Sequence, residues 1–262
     1  MAKRIHQAPG KVWLFPDVPI TGKRLIIDIN GNPTVPSAGY SAWVTATAYL
    51  RGAKYKDGAT PPNTLVCLVG GTSGANIPTT PANIGDMVID GTPPTAAIWV
   101  NCGAWGALFG GATEGAMTPT YSPKNEEIGA DQVPGPIDVV QTAEADEIDV
   151  VMKETNFAYL NSLITHGVLA LGTDANLPSG SQAYAELAFG GIQTVPSQSV
   201  AVISPRRDVS GKFVVSQLWQ AYVADAFKMA LARSKTTEYT VKFKAIFDPS
   251  RTDMAGKLYK QL

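Results

Sequence analysis

The sequence predicts a mainly β fold with one helix, carrying an inserted small all-β domain. Three observations predict it. Short β-prone runs bounded by Gly and Pro recur along the chain, only one stretch has a clear helical period, and a Thr-, Gly-, Pro- and Ala-rich segment interrupts the pattern between 40 and 103. With 262 residues the chain can bury a substantial core. Charged residues make up 16%, net charge is −1, and 25 Gly and 19 Pro supply many turns. Ordinary domains carry roughly 25% charge, so this balance, with no apolar run near the ~20 residues of a bilayer span, points to surface hidden against other subunits.

Val12 to Phe15 and Leu25 to Ile29 read as strands, separated by Pro16, Pro19 and Gly22, and Asn30-Gly31-Asn32 closes the second. From about Tyr40 to Gly103 the large apolar groups are Trp43, Tyr49, Tyr55 and Trp99, and acids are few. Gly70-Gly71-Thr72-Ser73-Gly74 within it reads as a turn, since it lacks the Gly-Lys-Ser/Thr ending of a phosphate loop. Strands resume at Phe109, followed by a Pro-rich arm around Val133-Pro134-Gly135-Pro136 and a strand at Ile148 to Met152. After Thr155, a good N-cap, Phe157, Leu160, Leu163 and Ile164 recur at helical spacing until Gly167.

Ala185 to Phe189, Val200 to Ile203 and Lys212 to Trp219 read as strands. In Glu238 to Phe247, Tyr239, Val241, Phe243 and Ala245 alternate with Thr240, Lys242 and Lys244, giving one apolar and one basic face. Trp219 to Arg233 fits both periods, and strand is the preferred reading.

Charge is segregated. Residues 126 to 154 hold nine acids, among them Glu126, Glu127, Asp131, Asp138, Glu144 and Glu147, against the single base Lys153. From Arg206 on there are eleven bases, among them Arg233, Lys235, Lys242, Lys244 and Arg251, against five acids. Complementary patches on one chain suit a head-to-tail interface, and these eleven named residues are the candidate subunit contacts. Two ordinarily solvated faces would look much the same in sequence.

Catalytic chemistry is sparse. His6 and His166 are the two histidines; His6 lies in an arm, and His166 at a helix C-terminus fits dipole capping better than catalysis. The acid pairs lack calcium-loop spacing, no cofactor motif is present, and the net charge argues against nucleic-acid affinity. Cys67 and Cys102 are too few for a disulfide framework and lack zinc spacing; they read as thiols of a reducing cytoplasm, a bridge between them remaining open. Met1 to His6 is basic, but Gln7, Pro9, Gly10 and Lys11 stand where a secretory leader needs an apolar run.

Two stretches together resemble the major tail tube proteins of long-tailed bacteriophages. One runs from Gly110-Gly111-Ala112-Thr113-Glu114-Gly115-Ala116-Met117-Thr118 through Pro134-Gly135-Pro136-Ile137-Asp138 to Glu154-Thr155-Asn156. The other is Tyr239-Thr240-Val241-Lys242-Phe243-Lys244-Ala245 with Asp248-Pro249-Ser250-Arg251 and Gly256. The resemblance covers 1–39 and 104–262. It implies a tail-tube-like β-sandwich or barrel with one helix, forming six-membered rings stacked into a tube for DNA, in the virion after assembly in the host cytoplasm. Implied partners are other copies of the chain, tape-measure, terminator and baseplate proteins, and transiently the genome.

The middle segment resembles a small β module recurrent in phage tail and fibre proteins, of carbohydrate-binding-like type. Its marks are Trp43, Thr45, Ala46, Tyr49, Gly70 to Ala75, Pro78, Gly85-Asp86, Asp90-Gly91-Thr92 and Ile98-Trp99-Val100. Thr79 and Thr80 stand where an aromatic often follows the Pro, which weakens glycan binding. Trp43, Tyr49, Tyr55 and Trp99 are the candidate glycan platform, although in so small a module the tryptophans fit a core better. Small-residue flanks at Ser37-Ala38-Gly39 and Gly103-Ala104-Trp105-Gly106 predict an independent module on the outer surface of the tube, removable without loss of assembly. The rival function is a carbohydrate-binding tail or fibre component contacting host-surface glycans.

Overall fold

A computed structural model describes residues 10–16, 26–34, 40, 42–60, 62–105, 108–113, 117–129, 136–152, 157–163, 168–174, 182–188, 197–206, 208–225, 239–247 and 255–262. The protein is mainly β, with several antiparallel sheets and little helix. In chain order β1 is Gly10–Pro16, β2 Ile26–Ile27, β3 Pro33–Thr34, β4 Ala48–Tyr49, β5 Lys54–Lys56, β6 Thr64–Val69, β7 Gly71–Thr72, β8 Met87–Asp90 and β9 Ala97–Asn101. A single turn of 3-10 helix at Gly103–Trp105 leads to β10 Leu108–Thr113, β11 Thr118–Gly129 and β12 Pro136–Met152. Helix α1 is Phe157–Leu163; β13 Val168–Asp174, β14 Gln182–Ala188, β15 Gln198–Pro205, β16 Phe213–Val223, β17 Tyr239–Ala245 and β18 Gly256–Lys260 complete the chain.

The large sheet runs in the order β10-β1-β15-β16-β17-β12-β11. Strand β16 is long enough to serve two neighbours on one side: residues 214–218 pair with β18 and residues 221–223 with β17. Both faces of this sheet are covered at β1, which explains its unbroken apolar run. Val12 and Leu14 point into the main core, Trp13 and Phe15 into a second cluster with Ala201, Ile203, Phe213 and Val215. Ile27 caps that second cluster.

The strand expected over Leu25 to Ile29 is shorter. Among the described residues pairing covers Ile26–Ile27, and Ile29 sits in a turn, 79% exposed. Asp28 makes the turn, its Oδ1 accepting from the amides of Asn30 and Asn32 at 2.9 and 2.8 Å, while Gly31 takes a φ of 78°. Lys11 Nζ donates to Asn30 O and Asn32 Oδ1, so an ammonium occupies the oxygen-lined side of this loop.

Strands β5-β6-β9-β8 form a four-stranded sheet, and β4 pairs with β7, so the ladders of residues 48–101 close among themselves. Packing does not. Val66, Leu68, Ile98, Val100 and Cys102 lie in one cluster with Val12, Leu14, Ile148, Val150, Val200, Val202, Val241 and Phe243. The module expected to be independent therefore shares a core with the large sheet, because alternate residues of β6 and β9 point to opposite faces and both faces are apolar. Ala158 and Leu163 of α1 close the same core.

Other expectations shift at their edges. The Gly70 to Gly74 segment contains a paired strand, β7, rather than a turn alone. The strand at Ile148 to Met152 begins twelve residues earlier, at Pro136. Trp219 to Val223 is strand, while 226–233 lie outside the described residues, as do Thr155, Ile164, His166 and Gly167. In β17, Tyr239, Val241 and Phe243 are buried with Thr240, Lys242 and Lys244 on the other side, as the alternation requires.

Candidate assembly surfaces

Strand β11 pairs along its whole length with β12, from Thr118 opposite Asp149 to Gly129 opposite Pro136, but among the described residues β12 pairs with the rest of the sheet only through Glu147 to Met152 on β17. Residues 119–129 and 136–146 thus leave the sheet as a two-stranded ribbon. At about 3.3 Å per residue it is roughly 35 Å long. Its outer part is exposed on both faces, at 118–128 and 136–143. Register places Ile128 opposite Asp138 and Glu126 opposite Val140, so Ile128 and Val140 are diagonal neighbours on one face, while Val139 stands with Glu127 on the other. Ile128, Ile137, Val139 and Val140 are 44–56% exposed. A two-stranded hairpin by itself is marginal in water, and exposed aliphatics on both faces are what a partner would cover.

The expected charge complementarity divides into two groups. Glu126, Glu127, Asp138 and Glu144 lie on the ribbon, and among the described residues the first three make no ion pair. Glu147 does not belong with them. It lies opposite Lys244 across the β12–β17 ladder, and its carboxylate is 3.6 Å from Lys242 Nζ and 3.8 Å from Lys244 Nζ. Asp149, Glu147 and Asp225 hold Lys242 above its ordinary value. Glu147, Lys242 and Lys244 are therefore matched within the chain while staying partly exposed, because adjacent antiparallel strands bring them together locally. Asp131, Arg233, Lys235 and Arg251 lie outside the described residues.

At the root of the ribbon, Glu144 and Asp146 project from alternate positions of β12. Gln141 Nε2 donates to Glu144 at 2.8 Å. Burial, then the neighbouring Glu144, pushes the Asp146 carboxyl up to about 6. The ribbon aliphatics were missed in the sequence, although Ile137 to Val140 is a β-prone run directly after Pro136.

The four candidate platform aromatics turn inward. Tyr55 and Trp99 are buried, and Trp43 and Tyr49 pack half-buried against them. Tyr49 and Tyr55 meet the Trp99 ring edge-on at 4.9 and 4.8 Å. The glycan-platform assignment is corrected accordingly: these rings are the module's own second core. Asp90, also buried, organises it, its Oδ2 accepting from Trp43 Nε1 at 2.8 Å and Trp99 Nε1 at 2.9 Å, and its Oδ1 from the Gly74 amide at 2.7 Å. Gly71 is required beside it, since a Cβ there would stand 2.4 Å from the Ala96 backbone.

Cys67 and Cys102 are free, buried thiols, and burial pushes Cys67 up to about 12 and Cys102 higher still. Among the described residues no group of three or more His, Cys, Asp or Glu is placed to hold a metal ion, and no helix is long and apolar enough to cross a membrane. No family model matches the chain, and no curated protein matches it.

Proposed function

We propose that this chain is a structural virion protein that assembles with copies of itself into stacked rings, forming the tail tube of a long-tailed bacteriophage. The observation that carries the assembly reading is the β11–β12 ribbon, with aliphatic residues bare on both faces and acids along its length. A ribbon so placed is stabilised only when another subunit covers it. The tube itself comes from the resemblance of Gly110 to Thr118, Pro134 to Asp138 and Tyr239 to Ala245 to the tail tube family. On this reading the chain is not an enzyme. Its partners are its own copies, tape-measure, terminator and baseplate proteins, and the passing genome; it is assembled in the host cytoplasm. The rival adhesion reading loses its platform, because Tyr55 and Trp99 are buried.

Electron microscopy of the concentrated, purified protein tests the proposal. Rings or tubes are expected, and a protein that stays monomeric at every concentration would overturn it. Sliding DNA would stick to a basic wall through counterion release, so the lumen is expected to be neutral or acidic. A tube map with a continuous basic inner surface would contradict that expectation.

A further inference from the structure

Between the root of the ribbon and the C-terminal strand lies a cavity of about 400 Å³, walled by Tyr121, Glu144 and Asp146 on one side and Leu258 on the other, with Gln217 beneath. Two features say what it holds. First, β18 pairs with β16 along one edge and, among the described residues, with no strand along the edge facing the cavity. An edge strand presents a row of N–H and C=O groups that another extended chain can pair. Second, the lining is acidic on balance, with Glu144, Asp146 and Glu147 against the single base Lys257. Among the described residues no group of three or more His, Cys, Asp or Glu is placed here to hold a metal ion.

We propose that this groove receives an extended segment from a second copy of the chain, which adds beside β18 as a further strand. The inference rests on the self-assembly reading and names the surface through which it works. A second copy is the occupant that the charge pattern selects. The groove is acidic, and from Arg206 on the chain carries eleven bases against five acids. Every copy then holds both an acceptor and a donor segment, and such a head-to-tail contact propagates from subunit to subunit.

Leu258 is the probe. It is 69% exposed on β18, so Leu258→Lys removes nothing from the monomer core, and an unchanged melting temperature verifies the fold. Charge on an edge strand opposes strand addition, and the critical concentration for assembly should rise about tenfold or more. In the wild-type assembly, amide exchange within 256–260 should slow relative to the monomer. A photo-crosslinking residue at 258 should join two copies of the chain. An unchanged critical concentration, β18 amides that exchange equally fast in assembly and monomer, or crosslinks confined within one chain or to a different protein would each overturn the groove proposal while leaving self-assembly standing. A wild-type protein that never assembles overturns both.

Discussion

Asp90 sits 3% exposed and accepts three hydrogen bonds, from two indoles and one backbone amide. Removing an acceptor strands its donors in the core, so Asp90→Ala should destabilise the protein by about 2–4 kcal/mol, read from denaturant midpoints. A loss under about half a kcal/mol, the usual surface effect, would show that the carboxyl group is dispensable. Nothing local announces this role, because Trp43 lies 47 positions away and the contact exists only once the module closes. Asp146 gives the opposite sign. Its folded value of about 6 exceeds the ordinary 3.8, so the folded state holds the proton more tightly than the unfolded state. Its contribution is full below about pH 4 and is lost as the pH rises through about 6. Asp146→Asn, which carries no charge, should therefore melt higher than wild type at about pH 8 and alike near pH 4. A difference that is the same at both ends would show that titration of this group is not its origin.

At the scale of the element, β17 and the ribbon mark what a pattern can reveal. Alternation in Tyr239 to Ala245 is strict, one face being buried and the other solvated, so strand, register and face could all be read directly. The ribbon obeys no such rule. With no core on either face, selection for alternation is absent, and Ile128, Val139 and Val140 look scattered until pairing aligns them. The intrachain part of the charge pattern was illegible for a related reason: Glu147 and Lys244 are 97 positions apart, yet directly opposite across a ladder. Acids on the ribbon and acids at its root are alike in sequence and differ only in their neighbours. If the ribbon aliphatics are contact residues, Val139→Ser with Val140→Ser should leave the monomer's melting temperature within about 2 °C, as surface substitutions do, and abolish tubes in negative-stain images. Tubes formed at the wild-type concentration would remove the ribbon from the interface.

On the scale of the whole molecule, the composition break near residue 40 is real and its meaning is subtler than a detachable domain. Ladders of residues 48–101 stay within the segment, which is why its texture differs from the flanks. Yet Val66, Leu68, Ile98, Val100 and Cys102, none more than 6% exposed, form part of the core of the large sheet. Sequence could show that β6 and β9 are apolar on both faces; it could not show that the second face is covered by Val12, Leu14 and Val200 rather than by the module itself. This decides what excision does. Burial of a large aliphatic contributes about 1.5–3 kcal/mol, so the loss of four is comparable to the whole ~5–15 kcal/mol by which domains are stable. Replacing Ser41 to Cys102 by a short Gly-Ser linker should therefore give an aggregated or unfolded product, with no cooperative melt in calorimetry, rather than a smaller subunit that still assembles. The complementary change, a short polar insertion at Ala75 to Ile77, where all three residues are exposed, should leave melting unaffected. A deletion protein that is soluble and melts cooperatively would show that the large sheet closes its core alone, and the shared core described here would be wrong.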